Sequence, residues 1–283
     1  MYQIISKETL APAIHEYKIL APKVAKKAKA GQFLILRVHE NGERIPLTIA
    51  DYNREAGTIT IVFAEAGYST KRLAKLNAGD AVQDFVGPLG VPSHVERFGK
   101  VVMVAGGVGV APVFPIARDM KAAGNHVVGI MGARNKELIF WEERMKDACN
   151  ELLVTTDDGS YVRKGFVTDV LREYIESAGK PDLVMAIGPL PMMRAIANLT
   201  KEYEIKTMVS LNSIMVDGTG MCGACRVTVG GETRFVCVDG PEFDGHLVDF
   251  EEQLMRSRKY KSEEQHALNR GNCGCGGGGK CHG

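Results

Sequence analysis

The stretch from Lys100 to Leu211 most constrains what this chain can fold into. It contains "KVVMVAGG", "HVVGIMGAR", "ELLVTTDDGS", "PDLVMAIG" and "IKTMVSL", short and nearly continuous apolar runs. Between them lie "APVFPIARDMKAAG", "KELIFWEERMKDACN", "VTDVLREYIESAG" and "LPMMRAIANLTKEY", which read as helices, the first ending at Gly124. Strands that do not alternate apolar with polar fit a sheet covered on both faces. Strands alternating with helices imply βαβ units and a parallel sheet.

Three strand ends in this stretch offer loops suited to a nucleotide. In "VAGGVGVAP" (104–112), glycines let backbone approach a pyrophosphate, and the following helix start offers N–H donors. The segment is not G-x-G-x-x-G, and alone it also reads as a tight turn without ligand. "GARN" (132–135) and "GPLPMM" (188–193) end two further strands. A nucleotide in an open α/β sheet lies across the carboxyl ends of several strands, so three such ends strengthen the reading. The candidate contacts are Gly106, Gly107, Val108, Gly109, Ala111, Pro112, Gly132, Ala133, Arg134, Gly188, Pro189 and Met192. Asp157 and Asp158 in "TTDDGS" either meet ribose hydroxyls or simply form a turn. Arg134 could meet a 2′-phosphate, so the residues alone leave NAD against NADP open.

The first hundred residues differ. "HEYKILAP", "GQFLILRVH", "RIPLTIAD", "GTITIVFAEAG" and "DAVQDFVGPLG" are strand-like runs punctuated by Gly, Pro, Asn and Asp. Such spacing suggests a small antiparallel barrel or sandwich. The expected division is a barrel over 1–98, an α/β domain over 99–210, a cysteine segment over 211–250, and a charged helix with a Gly/Cys-rich tail over 251–283. "CRVTVGGETRFVCVDG" reads as a hairpin around Gly230–Gly231. "LVDFEEQLMRSRKYKSEEQHALNR" reads as one charged helix, and the glycine-rich end "GNCGCGGGGKCHG" cannot form a core.

"VDGTGMCGACRVTV" (216–229) places Cys222 and Cys225 two residues apart, and Cys237 follows. Plant-type [2Fe–2S] loops use C-x4-C-x2-C…C, and the same count back from Cys222 reaches Asp217. A carboxylate is anionic like a thiolate but harder, so it can bind iron. Asp217 also reads as a turn residue beside Gly218, with the fourth ligand elsewhere. Cys-x2-Cys is generic enough to allow structural zinc, but the spacing and the intervening glycines favour a cluster. Cys273, Cys275, Cys281 and His282 could ligate a metal, at a large entropy cost for so flexible a stretch. Cys149 reads as a packing residue.

The order "AGQF", "RIPLTI", "AEAGYSTKRL", "VAGGVGVAP" and then a parallel sheet resembles the ferredoxin–NADP reductase superfamily. The resemblance implies an FAD-binding barrel followed by an NAD(H)-binding domain. It assigns Arg44, Pro46, Leu47 and Thr48 to the flavin ring and phosphate, and Ala64, Gly67, Ser69 and Thr70 to the pyrophosphate turn. Arg44 would neutralise phosphate charge, and amides at a helix start would do the same.

The downstream cysteine loop narrows the resemblance to two subunit families. One is the electron-transfer subunit of dihydroorotate dehydrogenase. The other is the small subunit of NADH-dependent ferredoxin:NADP oxidoreductase, also called sulfide dehydrogenase β subunit. The first has cysteine where this chain has Asp217; the second has aspartate. The metal set implied is Asp217, Cys222, Cys225 and Cys237. The cofactors implied are FAD, NAD(H) and a [2Fe–2S] cluster. No catalytic acid or base is needed for hydride exchange between nicotinamide and flavin. The partner implied is a larger flavin and [4Fe–4S] subunit handling NADPH and ferredoxin. A reading from another class is a non-catalytic nucleotide-sensing adaptor with a zinc loop.

The net charge of +1 gives no electrostatic footprint for nucleic acid. No apolar run of about eighteen residues suggests a membrane span, and "MYQIISKETL" is not a signal peptide. A cytoplasmic location is expected, where seven cysteines point to metal or redox chemistry.

Overall fold

The computed structural model describes residues 1–272. Cys273, Cys275, Cys281 and His282 lie outside the described residues.

The first eight strands are β1 (Tyr2–Ala11), β2 (Ile14–Leu20), β3 (Phe33–Arg37), β4 (Arg44–Thr48), β5 (Asp51–Asn53), β6 (Thr58–Ala64), β7 (Ala81–Val82) and β8 (Asp84–Leu89). They form a five-stranded sheet, β5-β6-β2-β1-β7, and a three-stranded sheet, β4-β3-β8. Every pairing is antiparallel. Two short helices, α1 (Pro22–Lys27) and α2 (Tyr68–Leu73), complete this unit. Its core holds Tyr17, Ile19, Leu34, Leu36, Ile59 and Phe85, all nearly solvent-free. The Tyr17 hydroxyl would be an unmet donor there, but it bonds the carbonyls of Leu73 and Leu76 at 2.8 Å each. Strand β1 was not among the expected strands. Its pairing with β2 shifts register twice, at Ile4/Ser6 and Thr9/Ala11, and such bulges break the alternation that would mark a strand.

The parallel unit follows: β9 (Lys100–Gly106), α3 (Val110–Ala122), β10 (His126–Ala133), α4 (Glu142–Ala148), β11 (Glu151–Thr156), α5 (Val167–Ala178), β12 (Leu183–Ile187), α6 (Leu190–Glu202) and β13 (Thr207–Ser210). The sheet runs β11-β10-β9-β12-β13, parallel throughout. Val101 to Ala105 and all of β12 are buried on both faces, as continuous apolar runs require. The helix expected from Lys136 starts only at Glu142. Trp141 takes a left-handed backbone, φ 58°, and its indole N–H donates to buried Glu16 of the barrel at 3.1 Å. Arg144 reaches the same carboxylate at 3.3 Å. Arg118 on α3 pairs with Asp51 on β5 at 2.8 Å. These three contacts pin the barrel to the parallel unit.

Beyond Ser210 come β14 (Arg226–Val229), β15 (Glu232–Phe235), α7 (Val236–Asp239), β16 (Glu242–Asp244), α8 (Phe250–Arg256) and α9 (Lys261–Asn272). Strands β14 and β15 form the hairpin, turning through Gly230 and Gly231 at φ 61° and 83°, which suit a primed turn. Strand β16 returns to the edge of the parallel sheet, antiparallel to β13. The single charged helix expected after 247 is two helices. The Ser257–Tyr260 turn separates them, and its run of basic residues belongs to neither apolar face.

Candidate functional site

Three groups of residues converge from different parts of the sequence. The first lies at the carboxyl ends of β9, β10, β11 and β12. Glycines in these loops do two different jobs. A Cβ on Gly109 would overlap the carbonyl oxygen of Ile187, and one on Gly106 or Gly188 would overlap the Met192 side chain. A Cβ on Gly132 would overlap Val167. Those four glycines let β9, β10, β12 and the helices beside them approach closely. Gly107 differs: its φ is 55° and a Cβ there would meet nothing within 4 Å. It opens the turn Gly107–Gly109 leading into α3, the helix that begins with Val110, Ala111 and Pro112. Val108 is half-buried in the same turn, and Pro189 caps α6. The chain thus presents open backbone and a helix start where an anionic ligand can approach.

The ends of β10 and β11 are tied together. The amides of Asp157 and Asp158 donate to the carbonyls of Ala133 and Arg134 at 3.0 and 3.2 Å. One Asp158 carboxylate oxygen accepts from the Ser160 amide at 2.9 Å, and the Ser160 hydroxyl holds its carboxyl below the usual range. Asp157 shifts the other way, raised by burial and by Asp158 and opposed by Arg134. Asn135 was not anticipated. Its Oδ1 is buried without a hydrogen-bond partner among the described residues, and although Asn135 precedes the turn Lys136–Leu138 its side chain makes no capping bond there. Leaving such an atom unpaired costs about 1–3 kcal/mol.

The second group is on the barrel. Arg44, Pro46, Leu47 and Thr48 lie along β4, with Arg44 exposed and the other three half-buried. Ala64 ends β6 and Gly67 caps α2. The Thr70 hydroxyl accepts from the amides of Ala66 and Gly67 at 3.0 Å each, so those two donors are engaged within the turn. The remaining donors at this helix start are the first-turn amides. Space in front of the turn is open, since a Cβ on Gly67 would meet nothing within 4 Å. Ser69 is buried and its hydroxyl donates to Glu43 at 3.0 Å. A hollow beside it is lined by His39, Glu43, Tyr68, Ser69, Arg72 and Ala267 of α9. That helix was expected only as part of one charged helix; no pattern in its sequence signals the contact.

The third group is the cysteine loop. Cys225 and Cys237 are buried with their sulfurs 3.2 Å apart, and Cys222 is exposed. Burial, together with Cys225, pushes the Cys237 thiol up to about 12. The Ala224 amide holds the Cys222 thiol below its ordinary value, helped by the amides of Asp217 and Val216. Amides aimed at sulfur suit thiolates carrying negative charge. The Asp217 carboxylate accepts from the Thr219 hydroxyl at 2.6 Å and its amide at 2.9 Å, which hold it below the usual carboxylate range, with help from Arg44. Asp217, Cys222 and Cys225 lie on one loop, and Cys237 meets Cys225 from α7 beyond the hairpin; three thiols and a carboxylate with amides around them are a donor set that fits an iron–sulfur cluster. Among the described residues no three of these side chains yet converge in metal-ligand geometry. The loop is seated on the barrel: a Cβ on Gly218 would press on Ile35 and Leu89. Gly218 has φ 83°, so it is the residue that both the turn and the close approach require. Cys149 sits elsewhere, buried, its thiol pushed up to about 12 by burial, as a packing residue should be.

A barrel, a parallel nucleotide-type sheet and a cysteine loop in one chain define an electron-transfer reductase of the ferredoxin–NADP reductase type. The comparisons narrow this. A model of the oxidoreductase NAD-binding domain matches residues 103–198. A model of the iron–sulfur cluster binding domain of dihydroorotate dehydrogenase B matches residues 212–249. An uncharacterised protein from the adh 3′ region of Clostridium beijerinckii is 54% identical, covering 98% of this chain and 99% of that one. A Thermotoga maritima homologue of the electron transfer subunit of dihydroorotate dehydrogenase B (NAD(+)) is 45% identical, over 93% of both. A solved structure of NADH-dependent reduced ferredoxin-NADP oxidoreductase, described for flavin-based electron bifurcation, has TM-score 0.91 and 44% identity. It covers 95% of this chain and 97% of its own. The chain belongs to the family of dihydroorotate dehydrogenase B electron transfer subunits and their homologues. It is an electron-transfer subunit of an oxidoreductase, with an NAD-binding and an iron–sulfur-binding domain. Among the described residues no helix is long and apolar enough to cross a membrane.

Proposed function

We propose that this chain is the small subunit of an NADH-dependent reduced ferredoxin:NADP oxidoreductase that performs flavin-based electron bifurcation. One observation carries this reading. An aspartate, Asp217, stands at the first ligand position of a cysteine loop that rests on the barrel. By the resemblance read from the sequence, the dihydroorotate dehydrogenase subunit has cysteine there. The 44% identity and TM-score of 0.91 to the bifurcating oxidoreductase, over nearly the whole chain, fit this reading, beside the 45% identity to the dihydroorotate dehydrogenase B homologue.

FAD is held by residues 1–98, NAD(H) by residues 99–210, and a [2Fe–2S] cluster by residues 211–250. FAD supplies the exchange between two-electron hydride chemistry and single electrons, which the cluster carries onward. The protein's work is positioning and tuning. Arg44 neutralises phosphate, and the first-turn amides of α2 face the pyrophosphate. Gly107 and the start of α3 admit the nicotinamide nucleotide. The contact of Gly218 with Ile35 and Leu89 brings the cluster loop onto the flavin-binding barrel. Arg44 and Asp217 are near enough to interact, so the two sites share one electrostatic neighbourhood. The chain works in the cytoplasm beside a larger flavin and [4Fe–4S] subunit, which handles NADPH and ferredoxin.

The test is expression with and without that partner. The chain alone should reduce dyes with NADH, and ferredoxin:NADP activity should appear only in the complex. Ferredoxin reduction by the lone chain would sink the reading. A second reading is service to dihydroorotate oxidation, favoured by the family model over residues 212–249. Co-purification of a dihydroorotate-oxidising large subunit would select it.

A further inference from the structure

We infer that Glu43 and Ser69 are positioning residues for the flavin: their hydrogen bond ties the β3–β4 loop to α2 and so holds Arg44 in place for the flavin phosphate. This rests on the FAD-binding role given above to the barrel.

Ser69 is 9% exposed, and a hydroxyl so buried needs a partner. It donates to Glu43, 26 residues earlier in the chain, at 3.0 Å. A hydroxyl carries one proton, so Ser69 cannot give it to Glu43 and to a phosphate oxygen at once. The sequence resemblance assigns Ser69 to the pyrophosphate turn. The structure instead commits its side chain to the neighbouring loop.

That loop, residues 38–43, joins β3 to β4. Its near end is anchored on the barrel. Arg37 donates from Nε to Asp84 at 2.6 Å and from a terminal guanidinium nitrogen to the Glu40 carbonyl at 2.7 Å. The Gly42 amide donates to the His39 carbonyl at 2.8 Å and closes a turn. Glu43 ties the far end to α2. Arg44 follows at once, as the first residue of β4. Strand β4 is at the edge of its sheet, paired with β3, and Arg44 is exposed. A long side chain at the end of an edge strand has much freedom to lose on pairing with phosphate. Fixing the backbone just before it lowers that cost.

Charge alone acts the other way. A carboxylate next to Arg44 repels a phosphate, so by charge Glu43 weakens flavin binding. The nearby cation Arg72 is engaged elsewhere. Its guanidinium donates to the Tyr68 hydroxyl at 2.6 Å and lies 5.5 Å from the centre of the Tyr68 ring. Positioning and repulsion therefore predict opposite outcomes for one substitution, Glu43→Ala. Glu43 is exposed, so that change leaves the barrel core intact.

The experiment is FAD binding to the flavin-stripped full chain, read by quenching of flavin fluorescence. Wild type, Glu43→Ala, Ser69→Ala, their double variant, Glu43→Gln and Arg44→Ala would be compared, with the two other alanine changes repeated on Arg44→Ala. Glu43→Ala and Ser69→Ala should each weaken FAD binding by about tenfold, and the double variant no more than either alone. Glu43→Gln, whose amide oxygen still accepts the hydroxyl proton, should bind FAD as wild type does. With Arg44→Ala in place, neither alanine change should weaken binding further. Unchanged or tighter binding in Glu43→Ala, additive losses in the double variant, no rescue in Glu43→Gln, or losses that persist without Arg44 overturn this inference alone. A wild-type chain that takes up no FAD overturns the flavin role of the barrel with it.

Discussion

The nucleotide strand ends and the cysteine loop are built in opposite ways. At the strand ends, Gly106, Gly109, Gly132 and Gly188 bring backbone and side chains into such close contact that a methyl group would not fit. That geometry is set by packing, so it stands without a ligand. In the cysteine loop only Cys225 and Cys237 are buried together; Cys222 is exposed and Asp217 bonds Thr219. On the proposed reading its donors, near one another, would be gathered by the cluster rather than by the core. The strand ends are fixed by packing, and on the proposed reading the cysteine segment would be completed by its cofactor.

Four predictions probe this contrast. The largest effect is expected at the loop. Cys225→Ser should abolish the cluster, read by iron content and visible absorption, yet leave NAD⁺ binding intact. Loss of both together would show that the two sites are not independently built.

Gly109→Ala is the converse. Its methyl group meets the Ile187 carbonyl, so stability should fall by about 2–3 kcal/mol, with weakened NAD⁺ binding and an unchanged cluster content. Denaturant titration and calorimetry would read this.

Glu16→Ala tests the joint between barrel and parallel unit. It strands the buried Trp141 N–H, so unfolding should cost about 2 kcal/mol less than in wild type. Trp141 is the chain's one tryptophan, so its fluorescence should shift as well.

The last prediction concerns pH. Glu242 on β16 bonds Ser93, beside Gly31 of the barrel, at the seam between the two units. Burial pushes its carboxyl up to about 7. The folded state therefore binds this proton more tightly than the unfolded chain does. Stability from this group is full below the unfolded carboxylate range and is lost as pH rises toward 7, by at most about 1.4 kcal/mol per pH unit. Glu242→Gln should flatten the stability profile across that window.

The contrast also explains what was legible in the sequence. The parallel unit announced itself, because strands buried on both faces must read as unbroken apolar runs. The iron–sulfur segment was equally open to reading, because Cys222, Cys225 and Cys237 are close in the chain, and the family model over residues 212–249 matches it. What stayed hidden depends on distant segments meeting. Nothing near Glu16 in the chain marks it as buried, yet Trp141 and Arg144 close on it. Strand β1 was masked by its bulges, and Asn135 by nothing more than being a polar residue after a strand. Ala267 carries no signal at all for its place beside Ser69. The glycines were legible as loop residues, but only the structure separates Gly107, which faces open space, from Gly109, which packs on Ile187.

The most direct test of the account is anaerobic reduction of the purified chain by NADH, followed by paramagnetic resonance of the cluster. Flavin bleaching together with a reduced [2Fe–2S] signal, altered or lost in Asp217→Ala, is the predicted result. Flavin that bleaches without any cluster signal, or a signal unchanged in Asp217→Ala, would contradict it.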